Sequence, residues 1–257
     1  MTATPLLAAR GVTVRFGGVV AVDNVDFAVP ADSIIGLVGP NGAGKTTLFE
    51  VISGFRRPSS GEVLLDGAPI TGLSPQARAR LGISRTFQRL ELFPELTVRE
   101  HVLIARRARH RPARWREWVF GPHETDDERR AVDELLDSLG LSGVAARPAS
   151  TLSLGVGRLV EVARALATEP KVVLLDEPSS GLDDVETERL VAVLREVRAR
   201  RNLALVLVEH NLSLVLGLCD EVQVLDFGET IARGLPAEVR ADERVQTAYI
   251  GTVKAAS

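Results

Sequence analysis

Gly39-Pro40-Asn41-Gly42-Ala43-Gly44-Lys45-Thr46-Thr47 is the stretch from which the rest of the chain is read. The spacing Gly39-x-x-x-x-Gly44-Lys45-Thr46 is that of a phosphate-binding loop. Its small residues let backbone N–H groups converge on an anion with no side chain in the way. Lys45 is then placed to reach the β- and γ-phosphates, and the Thr46 hydroxyl to ligate Mg²⁺. An ordinary glycine turn is the bland alternative. The flanks argue against it, because Ser33 to Val38 reads as a buried strand entering the loop and a helix starts near Lys45 and ends at Gly54.

Working outward, Leu6 to Phe16 and Ala21 to Val29 read as strands joined by a turn at Gly17-Gly18, and Glu62 to Leu65 as a strand stopped at Asp66-Gly67. Pro75 to Leu81 has helical composition with Ser74 at its entry, and Ile83 to Phe87 returns as a strand. Thr97 to Arg109 and Thr125 to Leu139 look helical. After them come a strand at Val172 to Leu175, a helix from Asp184 to Arg201, and strands at Leu203 to Val208 and Glu221 to Leu225. This alternation predicts an α/β fold whose mainly parallel sheet is covered on both faces. With the loop it predicts a P-loop NTPase (RecA-like) core, carrying an N-terminal antiparallel β subdomain and an inserted α-helical subdomain. Residues 1–87 and 161–251 are expected to form the core, 88–160 the helical insertion, and 252–257 a flexible tail.

The chain has 257 residues, 45% of them apolar, and a formal net charge of −3. That is enough to bury a substantial core, and it excludes a disordered or fibrous class. Near neutrality gives no reason to expect nucleic-acid phosphates as partners. The single cysteine, Cys219, follows the apolar run Leu212 to Leu218 and reads as a buried, inert thiol in a reducing compartment. Met1 to Arg10 lacks the pattern of a signal peptide. No apolar run approaches the roughly 18 to 20 residues that cross a bilayer, so any membrane crossing falls to other chains.

A phosphate loop needs an acidic partner for its metal. Val172-Val173-Leu174-Leu175-Asp176-Glu177-Pro178 supplies one at the end of an apolar strand. Asp176 is expected to bind Mg²⁺ through water, and Glu177 to polarise an attacking water as general base. Two adjacent carboxylates can also simply cap a helix. The phosphate loop in the same chain favours the catalytic reading.

These two elements would also suit a kinase or GTPase. Leu152-Ser153-Leu154-Gly155-Val156-Gly157-Arg158 separates the classes, because it resembles the signature sequence of ABC ATPases. Apolar residues at 152, 156, 159, 160, 163 and 166 fit one helix face, with Ser153 near the N-cap, where N–H groups and the helix dipole favour an anion. The resemblance implies that this anion is the γ-phosphate of ATP held by a second protomer, so that Ser153 and Gly155 serve a head-to-tail dimer. The family usually has Gly and Gln where this chain has Leu154 and Val156. Ser153 and Gly155, the phosphate contacts, remain, and ATPase activity is expected to survive. The resemblance also implies that Gln88 touches Mg²⁺ and the attacking water, His210 contacts the γ-phosphate, Asp183 lies in a loop crossing the dimer interface, and Phe16 stacks on adenine. Taken singly, Gln88 and His210 would be surface polar residues and Phe16 a core one.

Within that family the chain resembles the ATPases of branched-chain amino-acid importers. Arg85-Thr86-Phe87-Gln88, Leu92-Phe93-Pro94-Glu95-Leu96-Thr97-Val98-Arg99-Glu100, Val208-Glu209-His210 and Ala248-Tyr249-Ile250-Gly251 carry the likeness. Lipopolysaccharide-export ATPases share much of the pattern, and a soluble ABC ATPase acting on nucleic acid is a further alternative. The resemblance implies ATP and Mg²⁺ as cofactors. It also implies a second ATPase subunit (identical or a paralogue), permease subunits, a solute-binding protein, and a peripheral position on the cytoplasmic membrane face. Arginines from Arg106 to Arg116, with Trp115 and Trp118, suit either anionic headgroups and the permease or a solvated loop.

Overall fold

The computed structural model describes residues 4–110, 124–201 and 203–254. The chain opens with a hairpin of β1 (Leu7–Phe16) and β2 (Val19–Val29). It then runs through β3 (Ile34–Val38) and α1 (Lys45–Ser53) and returns with β4 (Ser60–Leu65) and β5 (Ala68–Pro69). These strands form a four-stranded antiparallel sheet in the order β2-β1-β4-β5. β3 leaves it to join β6 (Ile83–Arg85), β7 (Val172–Asp176), β8 (Ala204–Val208), β9 (Glu221–Asp226) and β10 (Glu229–Gly234). The order of this second sheet is β10-β9-β3-β8-β7-β6, all parallel except the β9–β10 edge.

Period-two alternation sends neighbouring side chains of one strand into different cores. Ile35, Leu37, Leu174, Val206 and Val208 pack with α1 and the antiparallel sheet. Val38, Val173, Leu175, Leu205 and Leu207 pack with the helices on the other face. Every residue of β3, β7 and β8 is buried, as strands covered on both faces must be.

The helix Pro75–Leu81 starts on Ser74, whose side chain accepts from the Ala77 amide. From it the buried Arg78 reaches back to cap α1, donating to the Val51 and Ile52 carbonyls, each at 2.6 Å. Free carbonyls at a helix C-terminus need donors, and Arg78 supplies them.

Between β6 and β7 lie the helices Val98–His110, Asp126–Ser138 and Leu154–Ala167. The second carries a capping box of Thr125 and Glu128. The third runs through residue 160, so the expected boundary of the insertion falls inside a helix. Arg106 pairs with Glu169 at 2.7 Å and Arg107 with Glu128 at 2.9 Å. The remainder of the arginine-rich stretch, from 111 and including Trp115 and Trp118, lies outside the described residues.

Cys219 is buried, and burial pushes its thiol up to about 12, consistent with an inert side chain. The last helix, Glu243–Lys254, extends into the stretch the sequence predicts as a tail.

Candidate functional site

Strand order brings the carboxyl ends of β3, β8, β7 and β6 side by side, the edge at which open parallel sheets bind ligands. The phosphate loop leaves β3, Asp176 and Glu177 end β7, Glu209 and His210 follow β8, and Gln88 follows β6. Residues far apart in sequence therefore share one edge.

The loop takes its shape from glycines that tolerate no side chain. Gly39 has φ +152° and a Cβ there would lie 2.1 Å from the Leu225 carbonyl oxygen. Gly44 has φ +99° and its Cβ would lie 2.5 Å from the Ala21 carbonyl oxygen. Backbone conformations of this kind are open mainly to glycine. Within the loop Lys45 is buried, and its Nζ donates to the Gly39 carbonyl at 2.6 Å and the Pro40 carbonyl at 2.9 Å. Desolvation lowers its pKa, while the nearby carboxylates of Glu177 and Asp176 work against that shift. Thr46 is exposed at the first turn of α1.

Opposite the loop, Asp176 is buried and its Oδ2 accepts from Arg85 Nη2 at 2.8 Å. Arg85 is itself surrounded by the rings of Phe49, Phe55 and Phe87, at 5.2, 5.6 and 5.4 Å. Glu177 stands in the left-handed region at φ +43°, a conformation that costs a side-chain-bearing residue of order 1–3 kcal/mol. Its amide donates to the Val208 carbonyl at 2.9 Å, which ties the turn to β8. Its Oε2 accepts from Gln88 Nε2 at 2.7 Å and lies 4.0 Å from His210 Nδ1. Sequence order alone does not bring Gln88, Glu177 and His210 together; the parallel sheet does.

The helix Leu154–Ala167 begins on Ser153, whose hydroxyl oxygen accepts from the Val156 amide at 3.4 Å. Gly155 leaves room for Glu186, whose Oε1 would lie 2.5 Å from a Cβ at that position. Asp183 caps the helix Asp184–Arg201 by accepting from the Glu186 amide at 2.7 Å. Phe16 is 44% exposed, and the Arg56 guanidinium lies 4.5 Å from its ring centroid. That exposure sets aside the core reading of Phe16.

Three residues beside these were not singled out by sequence reasoning. Arg85 pairs with Asp176, as described. Glu209 is fully buried, and its Oε1 accepts from the Ser179 amide at 2.9 Å and the Ser179 hydroxyl at 2.6 Å. It thereby fastens the end of β8 to the turn that carries Glu177. Tyr249, on the last helix, faces the phosphate loop. Burial pushes its phenol up to about 12, against the opposing effect of the Gly39 backbone amide. The available signal was a charged or hydroxyl-bearing side chain inside an apolar stretch, which says that a partner exists but not which one.

Glu209→Ala is expected to lower unfolding free energy by about 2 kcal/mol, because it removes the acceptor of both half-buried Ser179 donors. Glu209→Gln, which keeps an acceptor, is expected to lose less than half of that. Urea denaturation of the two variants checks the order; equal losses would refute it.

The oxygen donors Thr46, Asp176 and Gln88 suit a hard cation. Among the described residues no group of three His, Cys, Asp or Glu side chains could hold a metal alone. A cation bound through these oxygens would complete its shell with phosphate oxygens or water, as Mg²⁺ does.

A phosphate loop and an acidic strand end at the carboxyl edge of a parallel sheet define a P-loop nucleotide-binding protein. A family model described as ABC transporter matches residues 22–180, and one described as branched-chain amino acid ATP-binding cassette transporter matches residues 229–255. The high-affinity branched-chain amino acid transport ATP-binding protein LivG of Escherichia coli is 39% identical over 254 residues, covering 96% of this chain and 98% of LivG. BraF of Pseudomonas aeruginosa, with the same description, is 38% identical over 251 residues, with the same shares covered. The crystal structure of the ADP conformation of MJ1267, an ATP-binding cassette of an ABC transporter, superposes with a TM-score of 0.85 at 32% identity, over 97% of this chain and 100% of that one. The chain belongs to the ABC transporter family, as one of its ATP-hydrolysing nucleotide-binding subunits.

Proposed function

We propose that this subunit energises import of branched-chain amino acids, with ATP held between the phosphate loop of one protomer and Ser153 and Gly155 of a second. The observation that carries the chemical reading is the meeting of Lys45, Asp176, Glu177, Gln88 and His210 at one sheet edge. The 2.7 Å contact between Gln88 and Glu177 anchors it.

In this reading the amides of Gly39 to Thr47 cradle the phosphates, and Lys45 turns from the Gly39 and Pro40 carbonyls to the β- and γ-phosphates. Phe16 offers its exposed ring to adenine. Thr46, Asp176 and Gln88 would hold Mg²⁺, with Asp176 acting through water, and the ion would neutralise charge on the phosphates. Glu177 takes a proton from water as its oxygen attacks the γ-phosphorus, the bond to the bridging oxygen breaks, and ADP and phosphate leave. Gln88 holds Glu177 in place, and His210 contacts the γ-phosphate. Asp183 supports the loop that crosses to the second protomer.

Among the described residues no helix is long and apolar enough to cross a membrane. The roles described for LivG and BraF support permease subunits as partners, with this subunit working at their cytoplasmic face. Exposed Leu90 and Phe93, close to Gln88, offer apolar surface for that contact.

The substrate reading is supported by the family match at residues 229–255 and by the described roles of LivG and BraF. It is tested by purifying the chain with the permease subunits that bind it, reconstituting the complex in vesicles with a solute-binding protein for branched-chain amino acids, and measuring ATP-driven uptake. Leucine, isoleucine and valine are expected to accumulate and to stimulate ATP turnover. Uptake of a sugar in their place, or export of a lipid, would refute the reading.

A further inference from the structure

Arg85 ends β6 with its charge turned inward, and none of the chemistry above uses it. Its side chain is 10% exposed and that of its partner Asp176 8%. Taking two charges out of water is costly, and apolar side chains of the same volume commonly serve stability as well. What the pair does supply is a fixed hydrogen bond to a carboxylate at the nucleotide edge of the sheet.

The guanidinium is held from several sides. Nη1 donates to the Ser53 hydroxyl at 2.9 Å, and that hydroxyl donates to the Phe49 carbonyl at 2.7 Å, on the helix that leaves the phosphate loop. Nη2 donates to Asp176 Oδ2 at 2.8 Å. Nε has no acceptor among the described residues, so hydrogen bonds orient the group through Ser53 and Asp176. The rings of Phe49, Phe55 and Phe87 surround it, with Phe55 and Phe87 edge to face at 5.8 Å. Aromatic faces hold a desolvated cation more strongly than an exposed one. The Asp176 amide in turn donates to the Thr86 hydroxyl at 3.2 Å, so the main chain and the carboxylate of Asp176 are both fixed from the end of β6.

A carboxylate placed in this way has Oδ2 committed and offers Oδ1. Turning to present both oxygens to a cation would cost it the bond to Arg85. That restriction matters differently to two common divalent ions. Ca²⁺ takes about six to eight oxygen ligands and accepts bidentate carboxylates, whereas Mg²⁺ keeps much of its water and holds strictly to an octahedron.

We propose that Arg85 is a positioning residue that limits Asp176 to one free oxygen and thereby makes the nucleotide site select Mg²⁺ over Ca²⁺. This rests on the reading that Asp176 serves the metal. It places a source of selectivity in a residue that is not itself a ligand.

The probe is Mn²⁺, bound with ADP to the full-length chain and followed by electron paramagnetic resonance, which distinguishes free from bound ion. Mg²⁺ and Ca²⁺ are titrated against it, and the ratio of their affinities is read after correction for the same titrations with ADP alone. The two competing ions have equal charge, so loss of the Arg85 charge shifts both affinities together and leaves the ratio to ligand geometry. Arg85→Met, of similar length and at home among the rings, is expected to move the ratio about tenfold toward Ca²⁺. Arg85→Lys, which keeps the charge but lacks the fork that spans Ser53 and Asp176, is expected to move it about threefold.

A ratio in Arg85→Met that is unchanged, or moved toward Mg²⁺, overturns the proposal. Should circular dichroism show that variant unfolded, the same result in Arg85→Lys overturns it. Asp176→Asn separates the underlying reading. If it leaves Mn²⁺ affinity at the parent's value, Asp176 does not serve the metal and that reading fails. If it weakens Mn²⁺ binding while both Arg85 variants keep the parent's ratio, the reading stands and Arg85 has no part in selection.

Discussion

Glu177→Gln should slow ATP turnover by about 100- to 10,000-fold while ATP still binds. The substitution keeps the size of the side chain and an acceptor for Gln88 Nε2, which now lies 2.7 Å from Glu177 Oε2. It removes the carboxylate proposed as the base and leaves the phosphate loop untouched. The left-handed conformation at φ +43° belongs to the backbone turn held by the Val208 carbonyl, and glutamine inherits it without further strain. With binding intact and hydrolysis blocked, ATP should accumulate between protomers, and gel filtration with ATP and Mg²⁺ should show a persistent dimer. Turnover near the parent's in this variant would remove Glu177 from the role of base.

The second large effect concerns the composite site. Lys45→Ala and Gly155→Asp should each abolish most ATP turnover, for different reasons. The first removes the ammonium that meets the phosphates. The second places a carboxylate where the partner's γ-phosphate is expected, after Glu186 swings aside on the surface. In the proposed composite site Lys45 comes from one protomer and Gly155 from the other, so a mixed dimer of two copies of this chain carries one doubly defective and one intact site. Random pairing of equal amounts should therefore restore about a quarter of the parent activity in a mixture of two inactive proteins, as a head-to-tail arrangement of two identical subunits requires. A mixture as inactive as its components would mean that Lys45 and Gly155 do not serve different protomers' halves of one site.

Much of this site was legible from local pattern. The phosphate loop reads directly because its chemistry needs small residues, a lysine and a hydroxyl at fixed spacing, and the strand before it and helix after it lie where periodicity puts them. Asp176 and Glu177 read the same way, from an apolar run that had to be a buried strand. Ser153 was recognisable as a cap by its place ahead of an apolar helical face, and it does cap the helix.

Elements near the chain's end were less legible. β10 and the helices Pro236–Ala241 and Glu243–Lys254 went unpredicted, being short or largely exposed with weak periodicity. The strand expected at Ile83 to Phe87 stops at Arg85; the Thr86 amide still donates to the Leu174 carbonyl of β7, and from Phe87 the backbone carbonyls turn to Arg158.

By itself, then, the amino-acid order determined that a phosphate loop, an acidic strand end and a serine-capped helix start exist, since each is written in consecutive residues whose conformations follow from local sterics and capping. Tertiary structure decided which side chains meet. Glu177 joins Gln88 and His210 because β6, β7 and β8 lie next to one another in the sheet. Asp176 finds Arg85, Glu209 finds Ser179, and Arg158 with Glu161 finds the backbone around Gln88, all across separations for which sequence has no ruler. A buried charge declares that it must be paired, and only the packed chain says with what.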